Sequence, residues 1–262
     1  MSDPSSPVVR LEIREHVAHL TLMRADAANT MNLQFGREFA AAAHAIRKDS
    51  GVRAVLLRGE GKNFCFGGDL RGMVAAGGNV SAYLSELTTD VHAGLLHLAR
   101  ASAPVVAAVQ GTAAGAGLGL VLAADLVVAG KSAKFTAAYT AVGLTPDAGS
   151  TFLLSRAVGH KRAMEMFITN RLLDAQLALE WGLINQVCED AELDDAAAAL
   201  VARLAAGPTG AYGSVKRLLL EAEPGREAQL AREGQTIAGR AETAEGREGI
   251  AAFLEKRTPK FT

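Results

Sequence analysis

Cysteine is nearly absent from this chain. Cys65 and Cys188 are the only two, too few for a disulfide framework, so a reducing, cytoplasmic compartment is expected. An excess of either charge is also missing: 27 Lys and Arg face 28 Asp and Glu, a net charge of -1. With no basic cluster interleaved with aromatics, nucleic acid is not an expected partner. Every long apolar stretch is broken by Gly, Asp or Lys, and the start MSDPSSPVVRLEI lacks the basic-then-apolar pattern of a secretory signal. Neither a membrane span nor a leader is expected. His92 and His97 stand five apart on a helical stretch, the wrong spacing for the paired histidines of a zinc helix, and no metal is expected. What the chain does have is length and apolar content. Its 262 residues are 49% hydrophobic, enough for a sizeable core in one large domain or one domain plus a small appendage.

Residues 8–13 and 17–23 alternate as a strand pair turned at Arg14–Glu15–His16. Phe35, Phe39, Ala42 and Ile46 fall on one helical face. Buried strands are expected at 52–59 and 104–111 and at LVVAG (126–130), with a helix over 82–101. Such strand–helix alternation predicts a parallel or mixed sheet covered by helices, an α/β core over 1–205. AGGNVS (76–81) is the best candidate for a flexible loop. Asp174 suits a helix N-cap and Gly182 a helix stop, and GLINQV suggests one more short strand. Residues 191–206, 209–221, 226–242 and 246–256 then read as helices, so 206–262 is expected to be a helical region.

Three motifs fail on spacing or context. Gly115, Gly117 and Gly119 follow a strand and open a helix, but as G-x-G-x-G they miss the dinucleotide fingerprint. Gly130-Lys131-Ser132 is similar to the end of a P-loop, yet the earlier glycine that motif needs is Asp125. Cys65, among glycines after a strand, reads as a small buried hydrophobe before it reads as a nucleophile. Two other features converge. FCFGGDL (64–70) and GTAAGAGLG (111–119) each follow an expected buried strand and precede a helix. Small-residue turns at helix starts leave N–H groups pointing outward, and two on neighbouring strands can supply an oxyanion hole. Close helix–strand packing would also call for the glycines.

In order along the chain, GKNFCFGGDL, APVVAAVQGTAAGAGLGLVLAADLVVAGKSAKF, GLTPDAGSTFLLSRAVG, the EWGLINQV segment and EGIAAFLEKRTPKF resemble the crotonase (enoyl-CoA hydratase/isomerase) superfamily across nearly the whole length. AYTAVGLTPDAGST looks most like its ring-1,2-epoxyphenylacetyl-CoA isomerase branch. The resemblance implies a spiral of ββα units, a helical C-terminal trimerisation region, and a homotrimer or dimer of trimers. It implies a coenzyme A thioester as substrate, with no bound cofactor. The N–H groups of Gly68 and Ala116 would hold the thioester oxygen. Ala27, Phe66, Gly67, Asp69, Leu70 and Tyr139 would line the substrate site, and Phe253 and Lys256 match positions that reach a coenzyme A, sometimes a neighbour's.

The departures bear on the reaction. By the same resemblance, hydratases activate water with two glutamates, and here those positions are Gly119 and Tyr139. A phenol, with a pKa of about 10, is a poor base at neutral pH. Asp26 stands where the family often has a lysine for a phosphate of coenzyme A. Asp147 lies where double-bond isomerases of the superfamily carry their acid. It would shuttle one proton between carbons while the two N–H groups hold the enolate. Leu144, Phe152 and Tyr139 are expected around it, an apolar setting that suits a base. The structural alternative is a turn Asp capping a helix that starts at Ala148. Other readings remain: a hydratase with an atypical site, a non-catalytic acyl-CoA binder, or a hydrolytic enzyme like the 4-chlorobenzoyl-CoA dehalogenases. Those dehalogenases pair a nucleophilic Asp on this turn with a His near the place of His92, but also carry a Trp near the position of Tyr139. The lone Trp181 falls in a structural helix, and a lone His on an amphipathic helix is more often surface or core.

Overall fold

The computed structural model describes residues 6–222 and 225–261. The first hairpin joins β1 (Val9–Arg14) to β2 (Val17–Leu22), with Arg14 opposite Val17. Its two loop residues, Glu15 and His16, both have positive φ, the twist a two-residue hairpin requires. Helix α1 (Leu33–Lys48) starts at Asn32, whose side chain accepts the Phe35 N–H. It buries Phe35, Phe39, Ala43 and Ile46. Ala43 therefore takes the core place expected of Ala42, which is only partly buried.

After β3 (Ala54–Gly59) come α2 (Leu70–Ala75) and α3 (Val80–Arg100). The segment expected to be a flexible loop at 76–81 is a 3-10 turn over Gly77–Asn79 that runs straight into α3. Two turns of a spiral follow. The first is β4 (Val105–Val109), β5 (Thr112–Ala114) and α4 (Ala116–Ala123). The second is β6 (Leu126–Gly130), β7 (Lys134–Thr136), α5 (Ser150–Val158) and α6 (His160–Thr169). Each gives one strand to a large sheet, one to a small sheet, then a helical segment. The last return passes through β8 (Leu173–Asp174), α7 (Ala175–Glu180) and β9 (Gln186–Cys188). Asp174 caps α7 by accepting the Leu177 N–H, and Gly182 stops it at φ 77°.

The large sheet has the order β1-β2-β3-β4-β6-β9, parallel except for the first hairpin; the small one is β5-β7-β8. Strand alternation splits the core. Val55, Leu57, Val105, Ala107 and Val109 pack into the main interior with α1 and α3. Ala54, Leu56, Val106, Ala108 and Val128 face Leu193, Ala197 and Val201 of α8 (Leu193–Ala205). Three more helices complete the chain: α9 (Thr209–Leu220), α10 (Arg226–Ala241) and α11 (Ala244–Leu254). Lys216 ties α9 to the core by donating to the carbonyls of Leu98 and Ala103 and pairing with Asp125 at 2.7 Å. No helix among the described residues is long and apolar enough to cross a membrane.

Candidate active site

A cavity of about 810 Å³ opens beyond the carboxyl ends of the central strands, where open parallel sheets place their ligands. One wall is made of backbone. The FCFGGDL turn is sewn to β5 on one side, with Cys65 N–H donating to Thr112 and Ala114 N–H donating to Cys65. On the other side Met31 N–H donates to Gly67, and Asp69 N–H to Met31. Gly67 sits at φ 83°, and a Cβ there would lie 2.9 Å from the Ala116 nitrogen and 2.8 Å from the Ala114 carbonyl oxygen. Glycine thus lets the two small-residue turns touch. Gly68 and Ala116 both line the cavity, and neither N–H has an acceptor among the described residues. Ala116 is the first residue of α4, where the helix offers its N–H no partner.

Asp69 anchors this wall. Its carboxylate accepts from the N–H groups of Arg71 and Gly72 at the start of α2 and pairs with Arg24 at 2.9 Å. Burial alone would raise its pKa, but the Arg24 guanidinium and the two N–H groups outweigh that and hold it below the usual carboxylate range. Its side chain is therefore engaged in the fold as well as bordering the cavity. Cys65 is fully buried behind the turn, its thiol donating to the Asn29 carbonyl and pushed up to about 12 mainly by burial. That is the environment of an inert packing residue.

The opposite wall is made of side chains. Asp147 reaches the cavity from the turn before α5. Its Oδ1 accepts a 2.7 Å hydrogen bond from the Tyr139 hydroxyl. Burial, then the Asp147 charge, push the Tyr139 phenol well above its ordinary value, so it stays a neutral donor. His92 Nε2, on α3, accepts the Ala148 N–H at 3.1 Å and lies 3.8 Å from Asp147 Oδ2. A ring nitrogen that accepts an N–H carries no proton of its own, so the approach to Asp147 is proximity rather than an ion pair. The expected surroundings need correction. Phe152 turns away, 47% exposed, with the Arg156 guanidinium 3.4 Å from its ring centre. Nor does Asp147 cap a helix: α5 begins at Ser150 behind Gly149, with no side-chain cap.

Ala27, Phe66, Leu70 and Tyr139 also line the cavity. Phe66 and Leu70 are 45% and 48% exposed, apolar surface at a cavity mouth of the kind a ligand covers. Phe253 and Lys256 are not among the lining residues, and Phe253, on α11, is 83% exposed. Sequence reasoning missed the third wall, where Leu84, Leu87, Thr88 and Val91 of α3 present one helical stripe to the cavity. It also missed Arg24 and Arg71 at the rim. Arg24 is held by Asp69, whereas Arg71 has no ion-pair partner among the described residues. The signal for Arg71 was its place directly after the GGDL turn. No cluster of three or more His, Cys, Asp or Glu that could hold a metal occurs among the described residues.

Residues 12–262 match the model of the enoyl-CoA hydratase/isomerase family. The chain belongs to this family. It is 38% identical over 254 residues to the 1,2-epoxyphenylacetyl-CoA isomerase of Escherichia coli (strain K12), covering 95% of this chain and 96% of that protein. It is 40% identical over 258 residues to a probable enoyl-CoA hydratase of Rhodobacter capsulatus, covering 97% of each. A solved putative enoyl-CoA hydratase/isomerase from Mycobacterium abscessus superposes with a TM-score of 0.91 at 35% identity, over 97% of this chain and 99% of that one. The spiral of ββα units is thus the crotonase fold, and the protein is an acyl-CoA-processing enzyme of the crotonase superfamily.

Proposed function

We infer that this enzyme shifts a C=C double bond within a coenzyme A thioester, with Asp147 as its base. One observation carries the reading. The single carboxylate of the side-chain wall faces the same cavity as two unpaired backbone N–H groups, while both hydratase glutamate positions, Gly119 and Tyr139, lack an acid. The thioester oxygen sits between the N–H groups of Gly68 and Ala116. Asp147 removes a proton from the acyl chain, and the charge moves onto that oxygen. Fixed donors stabilise it, each worth about 2.7–4 kcal/mol of barrier. Tyr139 holds Oδ1, leaving Oδ2 for the proton, which Asp147 returns at another carbon. The sum is an isomerisation that needs no protein-bound cofactor. The aliphatic stripe of α3 receives the acyl chain. Arg71, free at the rim, takes a phosphate of coenzyme A in place of the lysine replaced by Asp26.

The assembly is a homotrimer or a dimer of trimers built through the helical region 206–262. In support, α10 buries no residue, and Leu230, Ile237, Ile250, Phe253 and Leu254 stand exposed. A helix face of that kind is ordinarily covered by another element. Phe253 and Lys256 would then meet a neighbour's substrate. The enzyme works in the cytoplasm.

A second reading has an observation of its own. The 3.8 Å approach of His92 to Asp147 resembles the Asp–His pair of hydrolytic aryl-CoA dehalogenases. His92 Nε2 is engaged by Ala148, however, which leaves it unable to take a proton from water.

Incubation with 3-enoyl-CoA in deuterated water tests both. Conjugated 2-enoyl-CoA formed by the wild type and not by Asp147→Asn supports the isomerase, and a product that keeps the substrate's own hydrogen and gains little deuterium marks the one-base shuttle. Hydration of crotonyl-CoA without isomerisation overturns it. Halide release from 4-chlorobenzoyl-CoA would move the assignment to the dehalogenase.

A further inference from the structure

The structure assigns His92 and Gly119 a shared role as positioning residues for Asp147, and both act through Ala148. The assignment builds on Asp147 as the base and adds what holds it in place.

The peptide joining Asp147 to Ala148 is fixed at both polar ends. Its carbonyl oxygen accepts from the Ser150 N–H at 2.9 Å and from the Ser150 hydroxyl at 2.5 Å. Its N–H donates to His92 Nε2. A peptide unit is planar, so pinning both ends sets the direction in which Asp147 projects its side chain. Tyr139 then selects the carboxylate rotamer. Ala148 itself is fully buried at φ 50°, a left-handed conformation that a residue with a Cβ adopts only when its surroundings demand it.

Gly119 supplies the space. A Cβ at position 119 would lie 2.5 Å from the Ala148 Cβ and 3.0 Å from its carbonyl oxygen. Any side chain there displaces Ala148, and Asp147 with it. Position 119 is also where the resemblance puts the first hydratase glutamate. In this backbone, an acid at 119 and the Asp147 turn therefore compete for one volume. The missing glutamate is the opening through which the Asp147 turn enters the site.

The test compares wild type, His92→Leu, His92→Gln and Gly119→Ala in two measurements: kcat and KM with 3-enoyl-CoA, and hydrogen exchange of the Ala148 amide. His92→Leu lowers kcat by about 10- to 100-fold, the scale of a misplaced catalytic group, at unchanged KM, and speeds Ala148 exchange. Glutamine places an amide oxygen near the site of Nε2, so His92→Gln restores both. Gly119→Ala repeats the loss of kcat. His92 is 44% exposed, so its variants fold and decide the matter even if the glycine variant does not.

The proposal is overturned if His92→Leu changes neither kcat nor exchange. It is also overturned if His92→Gln restores exchange but not turnover, because His92 would then be moving protons itself. Should the wild type not isomerise 3-enoyl-CoA, the isomerase reading falls alone. The exchange pattern, with the Asp147 position in crystals of the two His92 variants, still confirms or refutes the positioning role.

Discussion

Two walls of the cavity, facing each other, are built on opposite principles. The wall carrying Gly68 and Ala116 presents backbone N–H groups, which have nothing to ionise and no rotamer to lose. Its precision comes from ladder bonds between Cys65 and β5 and from the bare α-carbon of Gly67. The wall carrying Asp147 presents side chains, each held by another: Tyr139 on the carboxylate, His92 and Ser150 on the peptide behind it. A backbone wall is damaged by adding atoms. A side-chain wall is damaged by taking them away, except where its backbone leans on Gly119, which tolerates no added atom either.

Substitutions can therefore attack one wall at a time. Asp147→Asn should have the largest effect, because asparagine keeps the shape and the Tyr139 contact but not the base. Isomerisation should fall by about 10²–10⁴-fold, with acyl-CoA binding preserved in a direct titration. Gly67→Ala comes next. The new methyl pushes on the Ala116 nitrogen, and misaligning that donor should cost about 2.7–4 kcal/mol of barrier. Unlike the first variant it should also lower thermal stability, since a left-handed residue with a Cβ costs about 1–2 kcal/mol. Equal loss of activity without loss of stability would show that the turns do not touch as described.

Tyr139→Phe should be milder. It removes one hydrogen bond to a carboxylate, worth about 1.5–3 kcal/mol, so kcat should drop by roughly 10- to 100-fold while KM holds. A larger fall than that of Asp147→Asn would make Tyr139, and not Asp147, the decisive group. Asp69→Asn should act on stability and only weakly on the chemistry. The Asp69 carboxyl has a folded pKa below its unfolded one. Its contribution is thus fully present above the unfolded value of about 3.9 and is lost as pH falls through the lower folded value. The gap in urea stability between wild type and Asp69→Asn should be constant from pH 7 to 5 and close progressively below about pH 4. A gap independent of pH would mean that the Arg24 pair contributes nothing.

Much of this was legible in the amino-acid order. The first hairpin follows from period-2 alternation, the central strands of the large sheet from short apolar runs and the long helices from period-3.6 patterns, and caps such as Asp174 and Gly182 mark their own ends. The GGD and GAGLG turns stand out because few structures other than close backbone approach call for so many small residues. Several features left no such trace. Strands β5, β7 and β8 have three, three and two residues, too short for any periodicity to register. Ala42 and Ala43 are chemically identical, so only packing chose between them. Leu87 and Val91 of α3 belong to the core and line the cavity as well, so the apolar pattern of that helix does not separate the two roles.

The resemblance to the family implied that both hydratase glutamate positions lack an acid. By itself, the sequence determined the α/β class, the order of the large-sheet strands and long helices, the two glycine turns and the presence of an acid at 147. These are properties of residue type and local spacing. Tertiary structure alone decided that Gly119 lies against Ala148, that His92 reaches the same peptide from another helix, and that Phe152 leaves the site while Arg71 comes to its rim. The physical reason is that each of these depends on distances between residues far apart in the chain. Such distances are set by how helices and strands pack and not by the pattern within any one of them.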